Sequence, residues 1–139
     1  MRHDHATVSA TTILAQIAPP TPVVPVKAEL GYDTRVPYAV TITCAPAGED
    51  GRTVWELSRD LLVEGLDRAA GDGDVRVRRS PEEPECLLIE VRGGAAVFDA
   101  STHEVAEFLR LTFHTVPLGA EAEWIDLEGL VGKLLLGPG

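Results

Sequence analysis

The sequence predicts an α+β fold: two antiparallel β-meanders, each followed by a helix, and a further helix at the C-terminus. Three observations carry this. Strand-like runs of alternating or β-branched residues come in two groups, one before residue 58 and one after residue 74, divided by glycine and proline loops. Each group ends in a serine placed to accept an amide hydrogen bond, Ser58 or Ser101, and a helical run follows it. Last, Leu127, Leu130, Val131, Leu134 and Leu135 recur every three or four residues.

Thr7 to Ile17 mixes β-branched and small residues and reads as an opening strand, after which Pro19, Pro20, Pro22 and Pro25 break the pattern. Proline has no amide to donate, so these residues belong at a sheet edge or outside it. Residues 1–22 are taken as this strand and its proline-rich connection, within one domain overall. The second strand runs from Val26 to Tyr32 and the third from Tyr38 to Cys44; after the loop Ala47–Gly51, the fourth begins at Thr53 and reaches Leu57. Ser58 caps the first helix, and Asp60 lies in its first turn, where the macrodipole favours an anion. Leu61, Leu62 and Leu66 supply its buried stripe. Gly65 costs that helix about 1 kcal/mol relative to alanine, which predicts that another backbone approaches closely there.

Gly71-Asp72-Gly73-Asp74 reads as a turn, because glycine accepts positive φ without steric cost, and Val75–Arg79 then alternates as a strand. A phosphate cradle is excluded: it would need amides opening onto a helix N-terminus plus a cation, whereas this turn carries two aspartates and opens onto a strand. An acidic proline loop, Ser80–Glu85, leads to a strand over Cys86–Val91, and Gly93-Gly94 joins it as a hairpin to Ala95–Phe98. Ser101 and Glu104 make a capping box for the second helix, whose face is lined by Val105, Phe108, Leu109, Thr112 and Phe113. Residues 114–125 form an irregular connection. Asp126 caps the last helix and Gly137-Pro138 ends it. Gly129 and Gly132 weaken that helix, so it must dock, either on its own sheet or on a neighbouring subunit.

At 139 residues the chain has room for one domain and a real core. A net charge of −10 and a pI near 4.7 repel a nucleic-acid backbone at long range. The one basic cluster, Arg76, Arg78 and Arg79, reads as a solvated strand face. Cys44 and Cys86 are expected as two reduced, buried thiols. Nothing approaches the run of about 18 apolar residues that a spanning helix needs, and the first ten residues lack a signal-type apolar core. A soluble, cytoplasmic protein is the expectation.

Candidate chemistry is sparse. His103 and Glu107 lie one helical turn apart, as do Arg110 and His114, and are read as surface pairs because a metal site needs three or four converging ligands. His3-Asp4-His5 lies in a terminal segment, no motif sets a cysteine beside a histidine, and prolines hold Glu82, Glu83 and Glu85 in a solvated loop. Tyr32, Asp33, Tyr38 and Trp55 suit either base stacking or partner anchoring, although burial with a hydrogen-bonded hydroxyl is favoured for both tyrosines, and Asp33 is placed to cap the turn before Pro37. No catalytic residue, metal ligand or cofactor is read from the sequence.

Trp55, Arg59-Asp60-Leu61-Leu62, Gly65-Leu66 and Gly71-x-Gly73-Asp74-Val75-Arg76-Val77 resemble the signature of the SsgA-like proteins of actinobacteria. The resemblance extends upstream through Leu30-x-Tyr32-Asp33-Thr34 and Pro37-Tyr38-Ala39-Val40. Downstream it includes Phe108-Leu109-x-x-Thr112, Val116-Pro117-x-Gly119 and Asp126-Leu127, so that it spans residues 23–136 and leaves 137–139 as a tail. It implies a Whirly-like fold, a homotrimer and a non-enzymatic regulator of sporulation septation. The implied partners are FtsZ and other SsgA-like or septal proteins, met in the cytoplasm at the division septum. The apolar stripe from Leu127 to Leu135 is then the candidate oligomer or partner contact. A single-stranded nucleic-acid binder is the alternative that a Whirly-like fold suggests, against which the acidic balance argues. A ligand site formed between subunits is a third.

Overall fold

The computed structural model describes residues 4–17, 24–45, 52–94 and 96–125. Among the described residues eight strands and two helices follow in the order β1 (Thr7–Ile17), β2 (Val24–Asp33), β3 (Ala39–Ala45), β4 (Thr53–Ser58), α1 (Arg59–Asp67), β5 (Ala70–Asp72), β6 (Val75–Arg79), β7 (Cys86–Val91), β8 (Ala96–Ser101) and α2 (Thr102–Thr115), before a short 3₁₀ turn at Glu121–Trp124. The C-terminal helix expected from Asp126, with Leu127, Leu130, Val131, Leu134 and Leu135, lies outside the described residues.

All eight strands form one antiparallel sheet in the order β4-β3-β2-β1-β8-β7-β6-β5. The two predicted meanders are therefore present, each followed by its helix. They join where β1 meets β8, through Ala15 opposite Asp99, Gln16 opposite Phe98 and Ile17 opposite Val97. Strand periodicity decides which face is dry. Leu14, Val26, Leu30, Ile42 and Leu57 point inward with Val77, Leu87, Ile89 and Phe98, while Thr11, Ile13, Lys27 and Glu29 point to solvent.

Both helices cover the inner face. In α1, Leu61 and Leu62 are buried as predicted, and Leu66 is half-buried. The helix follows β4 in the chain and packs on β6 and β5 from the opposite end of the sheet, so it closes the curl. Gly65 permits this contact. A Cβ built there would stand 2.3 Å from Val77 Cγ1, closer than real atoms approach, and a tight 3.1 Å from the Val77 carbonyl carbon. In α2, Val105, Phe108 and Leu109 are buried, each contributing about 1.5–3 kcal/mol of hydrophobic stabilisation, and Thr112 is buried beside them with its hydroxyl donating to the Leu109 carbonyl.

Four local expectations change. Gly71 and Asp72 belong to the short strand β5, and the turn is the two-residue Gly73-Asp74 link of a hairpin, with Gly73 at φ 60°. Pro25 lies within β2 opposite Ala15, tolerated because the β2–β3 pairing ends at Lys27 opposite Ala45 and no described residue bonds to that side of the proline. The Ser101 hydroxyl accepts from the Glu104 amide at 3.2 Å, but the Glu104 carboxylate, expected to return to the serine, accepts from the Thr12 hydroxyl of β1. Cys86 is half-exposed, not buried, because it falls on the outer face of β7.

Candidate functional site

Arg59, the first residue of α1, has its side chain 1% exposed. Such burial is unusual for arginine and requires partners for the charge. Its guanidinium donates to the Thr112 carbonyl at 3.3 Å and the Val116 carbonyl at 2.9 Å, where α2 ends; the Thr112 carbonyl also accepts from the Val116 amide at 2.8 Å, and Val116 is the C-cap residue beyond the last turn. Another nitrogen donates to Glu121 Oε1 at 2.8 Å. The ring of Phe113 stacks 4.1 Å from the guanidinium carbon and that of Tyr32 lies 5.0 Å away, so the cation is bracketed by two aromatic faces.

Glu121 is also buried. Removal from water alone would raise its carboxyl pKa, but hydrogen bonds from its own amide, Arg59 and the Gly119 amide, together with the arginine's charge, hold it below the ordinary value. Burial raises the Tyr32 phenol; the Arg59 charge works against that shift and the Glu121 charge with it. The Tyr32 hydroxyl donates to the Pro37 carbonyl at 2.9 Å. This cluster locks α1, the end of α2 and the 3₁₀ turn together. The guanidinium's two terminal nitrogens are satisfied by these acceptors, while its Nε is buried with no partner among the described residues, so the cluster ties three elements together around an incompletely paired cation.

The other signature positions are spread along the fold. Asp33 accepts from the Arg35 amide at 2.9 Å, which caps the turn as expected. Tyr38, expected to be buried, is half exposed because it lies on the β2–β3 turn. Trp55 is half-buried on β4, edge-on to Phe98 and covered by the Arg92 guanidinium at 4.7 Å, a clasp between β4 and the β7–β8 turn. Arg92 adopts φ 51° to reach it. Asp60 is exposed in the first turn of α1, Gly71 sits opposite Arg76, and the Asp74 carbonyl accepts from the Gly93 amide at 3.0 Å. The structure therefore brings only Tyr32 and Arg59 of the signature set into one cluster. Sequence reasoning missed Glu121 and the Phe113 stack, because neither leaves a local signal.

Candidate chemical groups are occupied or exposed. Glu107 pairs with Arg110 at 2.6 Å on the open face of α2, an ordinary surface pair. Cys86 donates to Glu83 at 3.3 Å, and hydrogen bonds to Glu83 and Asp99, with burial and the two negative charges, push its thiol up to about 11. Burial likewise raises Cys44. Among the described residues no group of three or more histidine, cysteine or acidic side chains could hold a metal ion, and no helix is long and apolar enough to cross a membrane.

The outer face of the first meander is different. Ser9, Gly31, Thr41 and Glu56 stand in one cross-strand row, and a groove of about 500 Å³ opens over them, walled by Glu29 and Asp33. The absent side chain at Gly31 keeps the floor low. On the outer face of the second meander Arg76 and Arg78 are exposed, as predicted for a solvated strand.

Residues 26–121 match the family model described as Streptomyces sporulation and cell division protein, SsgA. The chain belongs to the SsgA family. Among curated relatives, the sporulation-specific cell division protein SsgB of Saccharopolyspora erythraea is 43% identical over 97% of this chain and 96% of its own length. SsgB of Streptomyces coelicolor is 38% identical over 80% of this chain and 82% of its own. Solved structures agree. An SsgA-like sporulation-specific cell division protein from Thermobifida fusca superposes with a TM-score of 0.80 at 30% identity, covering 95% of this chain and 98% of that one. A second, reported with mutations in SsgB that correlate to longitudinal cell division during sporulation of Streptomyces coelicolor, gives 0.78 at 35% identity over 90% and 100%. The SsgA family is one of sporulation and cell-division proteins, and the curled sheet with its two helices is the architecture these structures share.

Proposed function

We propose that this chain is a non-enzymatic cell-division regulator that helps localise or promote FtsZ assembly at septa, including sporulation septa, in the cytoplasm of an actinobacterium. The observation that carries the reading is the end-to-end match to SsgB, 43% identical over 137 residues. The chemistry points the same way. Both thiols are pushed above the ordinary range, and the buried ion pair seen among the described residues, Arg59 with Glu121, joins elements of the fold.

The working unit of this proposal is a single domain, with an SsgA-like part over 23–136 preceded by the N-terminal strand and connection of 1–22. It assembles as a homotrimer of Whirly-like subunits, through Leu127, Leu130, Val131, Leu134 and Leu135 or through the partner contact those residues make. A trimer repeats each weak contact three times, and multivalency converts such contacts into firm attachment to a polymer. The signature residues Tyr32, Asp33, Tyr38, Trp55, Arg59, Asp60, Gly65, Gly71, Gly73 and Asp74 hold the presenting surface in shape.

Sedimentation of the purified protein, alone and with FtsZ from the same organism at two salt concentrations, tests this. A discrete trimer that co-sediments with FtsZ or increases its polymer is expected. Binding of single-stranded DNA with a steep salt dependence, and no effect on FtsZ, would replace the reading by nucleic-acid binding.

A further inference from the structure

The sheet has two ends, and they are unlike. β5 is only Ala70–Asp72, whereas β4 offers six residues, Thr53–Ser58. The alternation of an antiparallel ladder gives the direction of each main-chain group in β4. The Arg59 amide donates to the Tyr38 carbonyl at 2.8 Å, so Leu57, Trp55 and Thr53 bond toward β3. Val54 and Glu56 then direct both main-chain groups away from the sheet, and Ser58 its amide. Among the described residues no other backbone meets them.

Natural sheets blunt such an edge with proline, lysine or a bulge. The run Thr-Val-Trp-Glu-Leu-Ser has none of these, its pairing with β3 is in unbroken register, and Val54 is 59% exposed. An extended segment laid along β4 would place alternate side chains on the outer face, beside Val54 and Glu56. There the groove holds Glu29, Asp33 and Glu56. Only Asp33 of these makes an ion pair, with Arg35, among the described residues.

We propose that the β4 edge binds an extended basic peptide segment of a partner protein as a ninth strand. Main-chain bonds to Val54, Glu56 and Ser58 supply the attachment, and a lysine or arginine beside Glu56 supplies selectivity. This deepens the partner-binding reading above and shares its premise that the chain acts by binding.

The test uses the full chain and a labelled alternating valine–lysine hexapeptide as probe, followed by fluorescence anisotropy and amide hydrogen exchange. Saturable binding is expected, with new protection at the amides of Val54, Glu56 and Ser58. Val54→Pro removes an outward amide without touching the ladder to β3 and should weaken binding about fivefold or more. Glu56→Lys should shift preference to a valine–glutamate hexapeptide, and this arm stands even where the proline variant fails to fold. Equal binding by folded Val54→Pro with no new protection would overturn the proposal, as would full protection of those amides in the free protein. FtsZ co-sedimentation by the wild-type chain with no capture of the peptide would sink the edge and spare the FtsZ reading. Peptide capture without any FtsZ effect would do the reverse.

Discussion

The guanidinium of Arg59 and the carboxylate of Glu121 meet at 2.8 Å across 62 residues of sequence, with both side chains withdrawn from water. One end of the pair opens α1 and the other lies in the 3₁₀ turn beyond α2. Their contact is what makes the end of α2 and the segment after it part of the core.

Removing one partner strands the other in low dielectric. Arg59→Ala should lower unfolding free energy by about 3–5 kcal/mol in urea denaturation, the usual cost of breaking a buried pair. Arg59→Lys should recover only part, because an ammonium reproduces neither the planar stacking on Phe113 nor the spread of donors. A loss near that of an exposed ion pair would show that water replaces the guanidinium.

The pair also sets an acid limit. Because the folded pKa of Glu121 lies below its unfolded value, the unfolded chain binds the extra proton. The stabilisation is thus complete above the ordinary glutamate value of about 4.3 and is lost as pH falls through the lower, folded one. Denaturation profiles between neutral and acid pH should show a fall in wild type whose Glu121 component disappears in Glu121→Gln.

Gly65→Ala pits helix propensity against space. Alanine gains about 1 kcal/mol in a helix interior, yet its methyl group would overlap Val77. Overpacking of this kind costs about 1–3 kcal/mol, so net destabilisation is expected on thermal unfolding. Val77→Ala in the same chain should show positive coupling by relieving the overlap; strictly additive effects would mean that α1 moves away instead.

Cys86 should resist alkylation near pH 8 despite its partial exposure, because its thiolate forms only as pH nears about 11. Glu83→Gln removes one of the two negative charges beside it and should speed iodoacetamide labelling at fixed pH. Rapid labelling of wild type at pH 8 would contradict the arrangement seen around the thiol.

The features legible in the sequence are those whose causes are local. Ser58 and Ser101 each bond an amide three residues on, at 3.2 Å, so a short window contains both donor and acceptor. Gly65 announced a close approach, though not that Val77 makes it. β5 is not legible because three residues, one of them glycine, show no alternation, and the exposure of Tyr38 is not legible because a turn can carry an aromatic side chain outward.

The sequence by itself determined the family, the succession of two meanders and two helices, the caps, and the inward and outward alternation of the strands. Tertiary structure decided which charges are buried and which edges are free. Arg59 became the centre of the core only when Thr112, Val116 and Glu121, from 53 to 62 residues away, were folded onto it. Glu104 took Thr12 as its partner, 92 residues distant, once α2 lay against β1. The physical reason is that capping and periodicity depend on neighbours fixed by the covalent chain. The desolvation of a charge or the exposure of an edge strand depends on contacts that exist only after the sheet has curled around its helices.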